Sequence, residues 1–225
     1  MKKSNKNLIT YKKWDSVNEG LQNINITFDN EKLPTADRSL YPLTFKHNWD
    51  YKNIVSLPLL NDNECDLLVS KWQDHEDMGS ISQEYTYRQC DIIWIPYYSK
   101  GFEFLFDKIL NTIKKVNDEV YKFDISNPVT CESIQFTKYN KGDHYKTHMD
   151  WDGGGLLDTR KISFSINLTS PDDYRGGSLE VNEEIAPRTR GWIHIFPSFL
   201  HHQAHTVMKG TRFSLVGWIA GPPFK

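Results

Sequence analysis

Apolar and polar positions change their pattern several times along this chain. Residues 1–45 are polar, rich in Asn and Lys, and without sustained periodicity. This predicts a mobile extension with an arm or short strand around Asn23–Phe28, where Ile24, Ile26 and Phe28 alternate with polar residues. Tyr51 to Leu60 reads as a strand leading into a helix start. Asn61 and Glu64 have the spacing of a capping box, and Cys65, Leu67, Leu68 and Trp72 are expected on one side of the helix that follows. Ser82–Ile95 reads as irregular and strand-like. A second helix is predicted from about Gly101 to Val120. There Phe102, Leu105, Phe106, Ile109, Leu110, Ile113 and Val116 recur at three- and four-residue steps and give one broad apolar stripe.

After Pro128 the texture shifts to short strands separated by turns. Strands are predicted at Thr130–Tyr139, Tyr145–Asp150, Ile162–Leu168, Ser178–Val181, Gly191–Phe196, Gln203–Val207 and Arg212–Ile219. The breaks fall at Gly142, Gly153–Gly155, Pro171, Gly176–Gly177, Pro187, Pro197 and Gly210. Strands at this spacing behind helices predict a mainly β, α+β fold: a jelly roll flanked by an N-terminal helical layer. The organisation expected is a polar extension over 1–45 and a single domain over 46–225, with the jelly-roll core at about 129–221. In Ile162–Leu168 the apolar residues Ile162, Phe164, Ile166 and Leu168 face one way, and Ser163, Ser165 and Asn167 the other. Such a strand is either half solvated or, inside a small barrel, one wall of a cavity lined with hydrogen-bonding groups.

Composition narrows the possibilities. A length of 225 residues is enough for one good-sized domain. A formal charge of −2 gives no basic field for nucleic acid, and 25% charged with 13% aromatic residues argues against disorder over most of the length. No apolar run reaches the roughly 18 residues that cross a membrane, and the basic N-terminus lacks the apolar segment of a secretory signal. Cys65, Cys90 and Cys131 are scattered and form no CxxC pair, so neither a disulfide framework nor a zinc site is indicated. A cytoplasmic, reduced protein is expected, with thiols that pack rather than react.

The chemistry concentrates in Tyr139–Trp151, YNKGDHYKTHMDW. His148 and Asp150 project from the same side of an extended segment, about 6–7 Å apart along the backbone. They are either a surface pair on an edge strand or two ligands of one metal ion. With a second histidine they make a two-His, one-carboxylate facial triad, which leaves positions open on Fe(II). Downstream, His201, His202 and His205 form a cluster of which two are expected to be solvated. Arg212 follows in an otherwise apolar strand, FSLVGW. An arginine pointing into a barrel needs an anionic partner, because an unpaired buried charge is very costly, and a dicarboxylate ligand would supply one.

The order of motifs, HxD, GGSLEV, FPS, His and then GTR-x-S-L-x-x-W, resembles the Fe(II)/2-oxoglutarate-dependent dioxygenases, in particular their prolyl 4-hydroxylase branch. The likeness runs over roughly Cys131–Pro222, and more loosely back to Asn61. It implies the double-stranded β-helix. It also implies Fe(II), 2-oxoglutarate as co-substrate, O2, and ascorbate as reductant. His148, Asp150 and His202 match the iron ligands; His202 stands ten residues before the co-substrate-binding Arg212, whereas His201 points from the opposite face and His205 has the wrong spacing. Tyr139, Asn167 and Ser214 match positions that touch the co-substrate. Arg160 matches a basic residue that opens its strand and is read as structural. Trp218 matches an aromatic near the metal, with core packing as the alternative.

By this resemblance the chain hydroxylates a prolyl residue in a peptide or protein and converts 2-oxoglutarate to succinate and CO2. Asp150 favours hydroxylation, since related halogenases leave that position empty. Alternatives are the same chemistry on a free amino acid, another small molecule or nucleic acid, and a non-catalytic iron-binding jelly roll. Substrate choice is expected from the loops Ser80–Tyr98 and Trp151–Thr159 and from the aromatic approach of Tyr85, Tyr87, Trp94, Tyr97, Tyr98 and Trp151. Partners are therefore a proline-containing peptide or protein and 2-oxoglutarate, with no membrane and no evident nucleic acid.

Overall fold

A computed structural model describes residues 6–15, 20–29, 52–73, 87–155 and 157–224. The chain forms two compact units, Met1–Asp50 and Tyr51–Lys225. In the first, β1 (Lys6–Asp15) pairs antiparallel with β2 (Gly20–Asp29), from Lys6 opposite Asp29 to Asp15 opposite Gly20. Only the later part of β2 was expected as a strand. Lys6–Asp15 has no clean alternation of its own, so its pairing is not legible from local pattern.

The second unit begins with β3 (Val55–Pro58) and α1 (Asp62–Gln73). The capping box at the start of α1 is closed: the Asn61 backbone N–H donates to Glu64 Oε2 at 3.0 Å and the Glu64 N–H to Asn61 Oδ1 at 2.9 Å. Cys65, Leu68 and Trp72 are buried along one face, but Leu67 is 47% exposed. Its neighbour Leu68 takes the inward position, and the stripe is narrower than expected. β4 (Arg88–Gln89) and β5 (Asp91–Ile95) precede α2 (Glu103–Val116). α2 buries Leu105, Phe106, Ile109, Ile113 and Val116, while Leu110 is only partly covered. The expected helix to Val120 ends earlier as regular α-helix, passing into a π-helical turn over Asn117–Tyr121 that Lys122 stops at φ +56°. The Asn117 side chain brackets Phe123, and the Tyr121 hydroxyl donates to Ile195 O at 2.8 Å, tying the turn to the sheet.

The remaining strands are β6 (Ile134–Tyr139), β7 (His144–His148), β8 (Arg160–Asn167), β9 (Arg175–Gly176), β10 (Leu179–Val181), β11 (Glu184–Ile185), β12 (Trp192–Pro197), β13 (His202–Ala204), β14 (Val207–Lys209) and β15 (Arg212–Ala220). They make a six-stranded sheet in the order β3-β12-β8-β15-β6-β5 and a five-stranded sheet in the order β11-β10-β13-β7-β4, with β14 and β9 paired separately. This is the jelly-roll, double-stranded β-helix architecture. Among the described residues, no helix is long and apolar enough to cross a membrane.

The two faces of the six-stranded sheet divide the work. Ile162, Phe164, Ile166, Leu168, Ile193, Ile195, Leu215 and Ile219 join α1 and α2 in one core. Each fully buried Ile or Phe there stabilises the fold by about 1.5–3 kcal/mol. Ser163, Ser165 and Asn167 on the other face are also buried, so β8 is not half solvated; its polar side is interior. Gly217 is needed for this packing, because a Cβ there would lie 2.5 Å from the Phe164 ring. The three cysteines are free and buried. Burial pushes the Cys65 thiol up to about 11 and the Cys131 thiol up to about 12, which makes both poor nucleophiles at neutral pH.

Candidate metal centre and its cavity

The site is assembled by strand pairing rather than by sequence proximity. β13 runs antiparallel to β7 with His202 opposite His148, and Asp150 follows two residues after β7. The Asp150 N–H donates to Ser198 O at 3.0 Å, which carries the carboxylate inward. His202 Nε2 lies 3.2 Å from Asp150 Oδ2, and His148 Nε2 lies 3.6 Å from Asp150 Oδ1. Ligand atoms of all three residues fall within 4.8 Å of one another, the only such group among the described residues. His205 instead donates to Glu180 Oε2 at 2.7 Å, and His201 is exposed.

The donor set fits a metal ion. His148 Nδ1 is 2.8 Å from Lys146 O, and His202 Nδ1 is 3.0 Å from Leu200 O. A carbonyl oxygen only accepts, so each Nδ1 carries the proton and each Nε2 presents its lone pair. Ligand atoms about 2.1 Å from one ion and at right angles to each other stand about 3.0 Å apart; the two imidazole–carboxylate contacts, at 3.2 and 3.6 Å, approach that spacing. Burial draws the His148 imidazole down to about 4, with His202 adding to the effect, so His148 is neutral at pH 7. Burial opposes charge on Asp150, yet His202, His148 and the Ser163 hydroxyl outweigh it and hold its carboxyl well below the usual range. Burial also works against a proton on His202, but Asp150 beside it raises its affinity for one. A metal therefore meets one neutral imidazole, one ionised carboxylate and a second imidazole whose Nε2 faces that carboxylate.

Second contacts fix the ligands. The Ser163 hydroxyl donates to Asp150 Oδ2 at 2.7 Å, with Ser198 Oγ 3.0 Å away. The His148 ring is stacked on Tyr145 at 3.6 Å, and His202 lies 4.8 Å from Phe196.

Arg212 shares the cavity with the triad. It is 4% exposed, donates to Ser214 Oγ at 3.1 Å and lies over the Tyr139 ring at 5.5 Å. Among the described residues no carboxylate pairs with it. The Ser214 hydroxyl is in turn 2.7 Å from Thr137 Oγ1. Tyr139 also lines the cavity, its hydroxyl engaged with the Cys90 thiol. Asn167 does not line it: its Nδ2 donates to Thr169 O at 2.9 Å and to Arg188 O at 2.8 Å, in a small recess next to Arg212. Arg160 forks onto Glu132 at 2.7 and 2.6 Å and covers the Trp218 ring at 3.8 Å. Both reach the cavity, and Trp218 Nε1 is buried with no acceptor among the described residues.

Of the aromatic approach, Tyr87 lies 6.4 Å from His148 and Trp94 6.4 Å from Trp218, both exposed. Tyr97 and Tyr98 pack on Phe106 of α2 instead. Trp151 is held by Asp158 and touches Phe224, in a loop whose Leu157 reaches the cavity. Tyr85 lies outside the described residues. Sequence reasoning missed His194, which is buried beside Arg212 and bonded to Ser56 at 2.9 Å. Burial, then Arg212, draws His194 down to about 4 and keeps it neutral. Its inward position was readable only from the alternation of β12. Arg88 was also missed, as it sits in a two-residue strand with no pattern of its own.

The 2OG-Fe(II) oxygenase superfamily model matches residues 134–220. A PKHD-type hydroxylase of Rippkaea orientalis is 36% identical over 98 residues, covering 41% of this chain and 44% of that protein. A PKHD-type hydroxylase of Prochlorococcus marinus is 34% identical over 120 residues, covering 47% and 53%. The chain thus spans about half the length of the curated relatives it matches. Among solved structures, a prolyl hydroxylase of Trichoplax adhaerens, in complex with a peptide fragment of the hypoxia inducible factor oxygen degradation domain, has a TM-score of 0.62 at 15% identity, covering 85% of this chain and 96% of that one. The viral collagen prolyl hydroxylase of Paramecium Bursaria Chlorella virus-1, as a 2OG complex, has a TM-score of 0.60 at 20% identity, covering 76% and 98%. The motif order, the sheet topology and the His-Asp-His group agree with these matches: residues 134–220 are similar to the 2OG-Fe(II) oxygenase superfamily, on the fold of the prolyl hydroxylase structures.

Proposed function

We propose that this protein is an Fe(II)- and 2-oxoglutarate-dependent dioxygenase that hydroxylates a prolyl residue in a peptide or protein. The observation that carries the proposal is one cavity holding both a His-Asp-His group and a buried arginine that has no acidic partner among the described residues. His148, Asp150 and His202 would hold Fe(II). The bound metal, with O2 and 2-oxoglutarate, supplies the oxidising power for hydroxylation, and the co-substrate leaves as succinate and CO2.

The protein's own residues bind and orient. Arg212 receives the distal carboxylate of the co-substrate, since its fork has only Ser214 and the face of Tyr139 for company. Ser214 and Tyr139 flank that carboxylate as hydrogen-bonding groups, and neutral His194 adds no competing charge. Asn167 keeps its amide on the Thr169 and Arg188 carbonyls, in the recess it shares with Arg212. Phe196, Trp218 and Leu157 form apolar walls that exclude water. The prolyl substrate is supported by the hydroxylase relatives and by Tyr87 and Trp94 at the approach, whose rings suit a proline in extended conformation.

The test supplies purified protein with Fe(II), 2-oxoglutarate, ascorbate, O2 and a library of proline-containing peptides. Succinate together with a one-oxygen mass gain on proline is the expected result. Succinate stimulated only by a free small molecule would overturn the prolyl substrate, and no succinate under any condition would overturn the chemistry.

A further inference from the structure

Arg88 is a second guanidinium at the cavity, and neither metal binding nor co-substrate binding as described above uses its charge. It is carried by β4, opposite Tyr145 of β7, in the five-stranded sheet, whereas Arg212 belongs to the six-stranded one. Its guanidinium lies over the Tyr145 ring at 4.4 Å, and that ring is stacked on the His148 imidazole at 3.6 Å. Arg88, Tyr145 and His148 thus form a continuous stack ending at a metal-ligating residue.

The partners of Arg88 hold it without neutralising it. Nη2 donates to Gln135 Oε1 at 2.7 Å and Nε to Cys90 Sγ at 3.3 Å. The groups that act on its charge are Tyr139, Cys90 and Tyr145, all uncharged at neutral pH. Among the described residues no carboxylate pairs with it. A guanidinium has five N–H donors, of which these bonds occupy two. A cation kept partly desolvated with donors to spare is costly unless an anion completes it, and its fork matches a carboxylate. Arg212 meets the same description on the other sheet, and the co-substrate can bring only its distal carboxylate to one of them.

We propose that Arg88 binds a carboxylate of the substrate itself, beside the triad, so that the enzyme selects substrates bearing a carboxylate next to the residue to be oxidised. This rests on the oxygenase reading and adds a substrate class to it. Two sources offer the same chemistry: the free C-terminal carboxylate of a chain-terminal proline, or an acidic side chain on the residue adjoining the proline.

The test measures binding, not turnover. Protein loaded with Mn(II) and saturating 2-oxoglutarate, without oxygen, is titrated with short fluorescent peptides read by anisotropy. One matched pair ends in proline with a free carboxylate or an amide. The other has an internal proline followed by Asp or Asn. Each peptide is also made with alanine in place of proline. The expected result is that the carboxylate member of one pair binds about 10- to 100-fold tighter than its neutral twin. That ratio falls to about one in Arg88→Gln and is partly kept in Arg88→Lys, where charge survives without the fork. The responding pair identifies the source. No binding by any carboxylate form, no preference in the wild type, a preference that persists in Arg88→Gln, or a loss falling on 2-oxoglutarate instead would each overturn the assignment. The proline-alanine contrast is independent: a carboxylate preference without a proline preference would sink the prolyl reading and leave Arg88 in place.

Discussion

Ser163→Ala isolates what the β8 wall contributes to the metal site. Ser163 is fully buried, and its hydroxyl reaches Asp150 Oδ2 at 2.7 Å. The remaining contacts of that carboxylate are the two imidazoles that would turn to the metal. The substitution therefore removes a charge-assisted bond that fixes the orientation of a metal-ligating oxygen. A hydrogen bond to an ionised group stabilises by about 1.5–3 kcal/mol, which is about 10- to 150-fold in an equilibrium constant. Calorimetric titration with Mn(II) should show affinity falling by up to that factor, and the metal-free protein should lose stability in thermal unfolding as well, because the same bond to a buried carboxylate is present there. Ser165→Ala is the control. Ser165 lies on the same buried face and lines the cavity, but no hydrogen bond joins it to Asp150. Equal affinity in Ser163→Ala and wild type, or an equal loss in Ser165→Ala, would refute the reasoning.

Three further outcomes are expected. Arg212→Ala should raise the apparent Michaelis constant for 2-oxoglutarate by about 10- to 100-fold through loss of a charge-assisted fork, and Arg212→Lys should recover part of it; unchanged dependence in the alanine variant would remove the co-substrate assignment. Gly217→Ala should destabilise the domain by about 1–3 kcal/mol in urea unfolding, because the new Cβ meets the Phe164 ring at 2.5 Å in a packed core. Asn61→Ala should cost about 1 kcal/mol by opening the capping box of α1, with no effect on metal affinity.

How far the molecule could be read from its sequence depends on the range of the interaction concerned. The capping box at Asn61 and Glu64 is a contact between residues three apart, and its letters carry its geometry. The alternation in Ile162–Leu168 likewise fixes which side chains share a face, although only the closed barrel shows that both faces are buried. His148 and Asp150 are two residues apart and were legible as a pair. His202 needed the resemblance to known oxygenases, because its position opposite His148 arises from pairing across more than fifty residues. Arg88 had no such aid: β4 is two residues long, and only its pairing with β7 brings the guanidinium to Tyr145. Leu67 was misplaced because adjacent apolar residues on a helix cannot both be at the centre of one face, and packing chose Leu68. β1 escaped notice because its apolar residues do not alternate.

On the reading above, His148, Asp150 and His202 together would hold the Fe(II) that the oxidative decarboxylation of 2-oxoglutarate by O2 requires. That reading is tested most directly by CO2 release from carboxyl-labelled 2-oxoglutarate, with and without added Fe(II), in the wild type and in His202→Ala, Asp150→Ala and His205→Ala. Release should require Fe(II), disappear in His202→Ala and Asp150→Ala, and persist in His205→Ala, whose imidazole is engaged with Glu180. Release that persists in His202→Ala and is lost in His205→Ala would contradict the account.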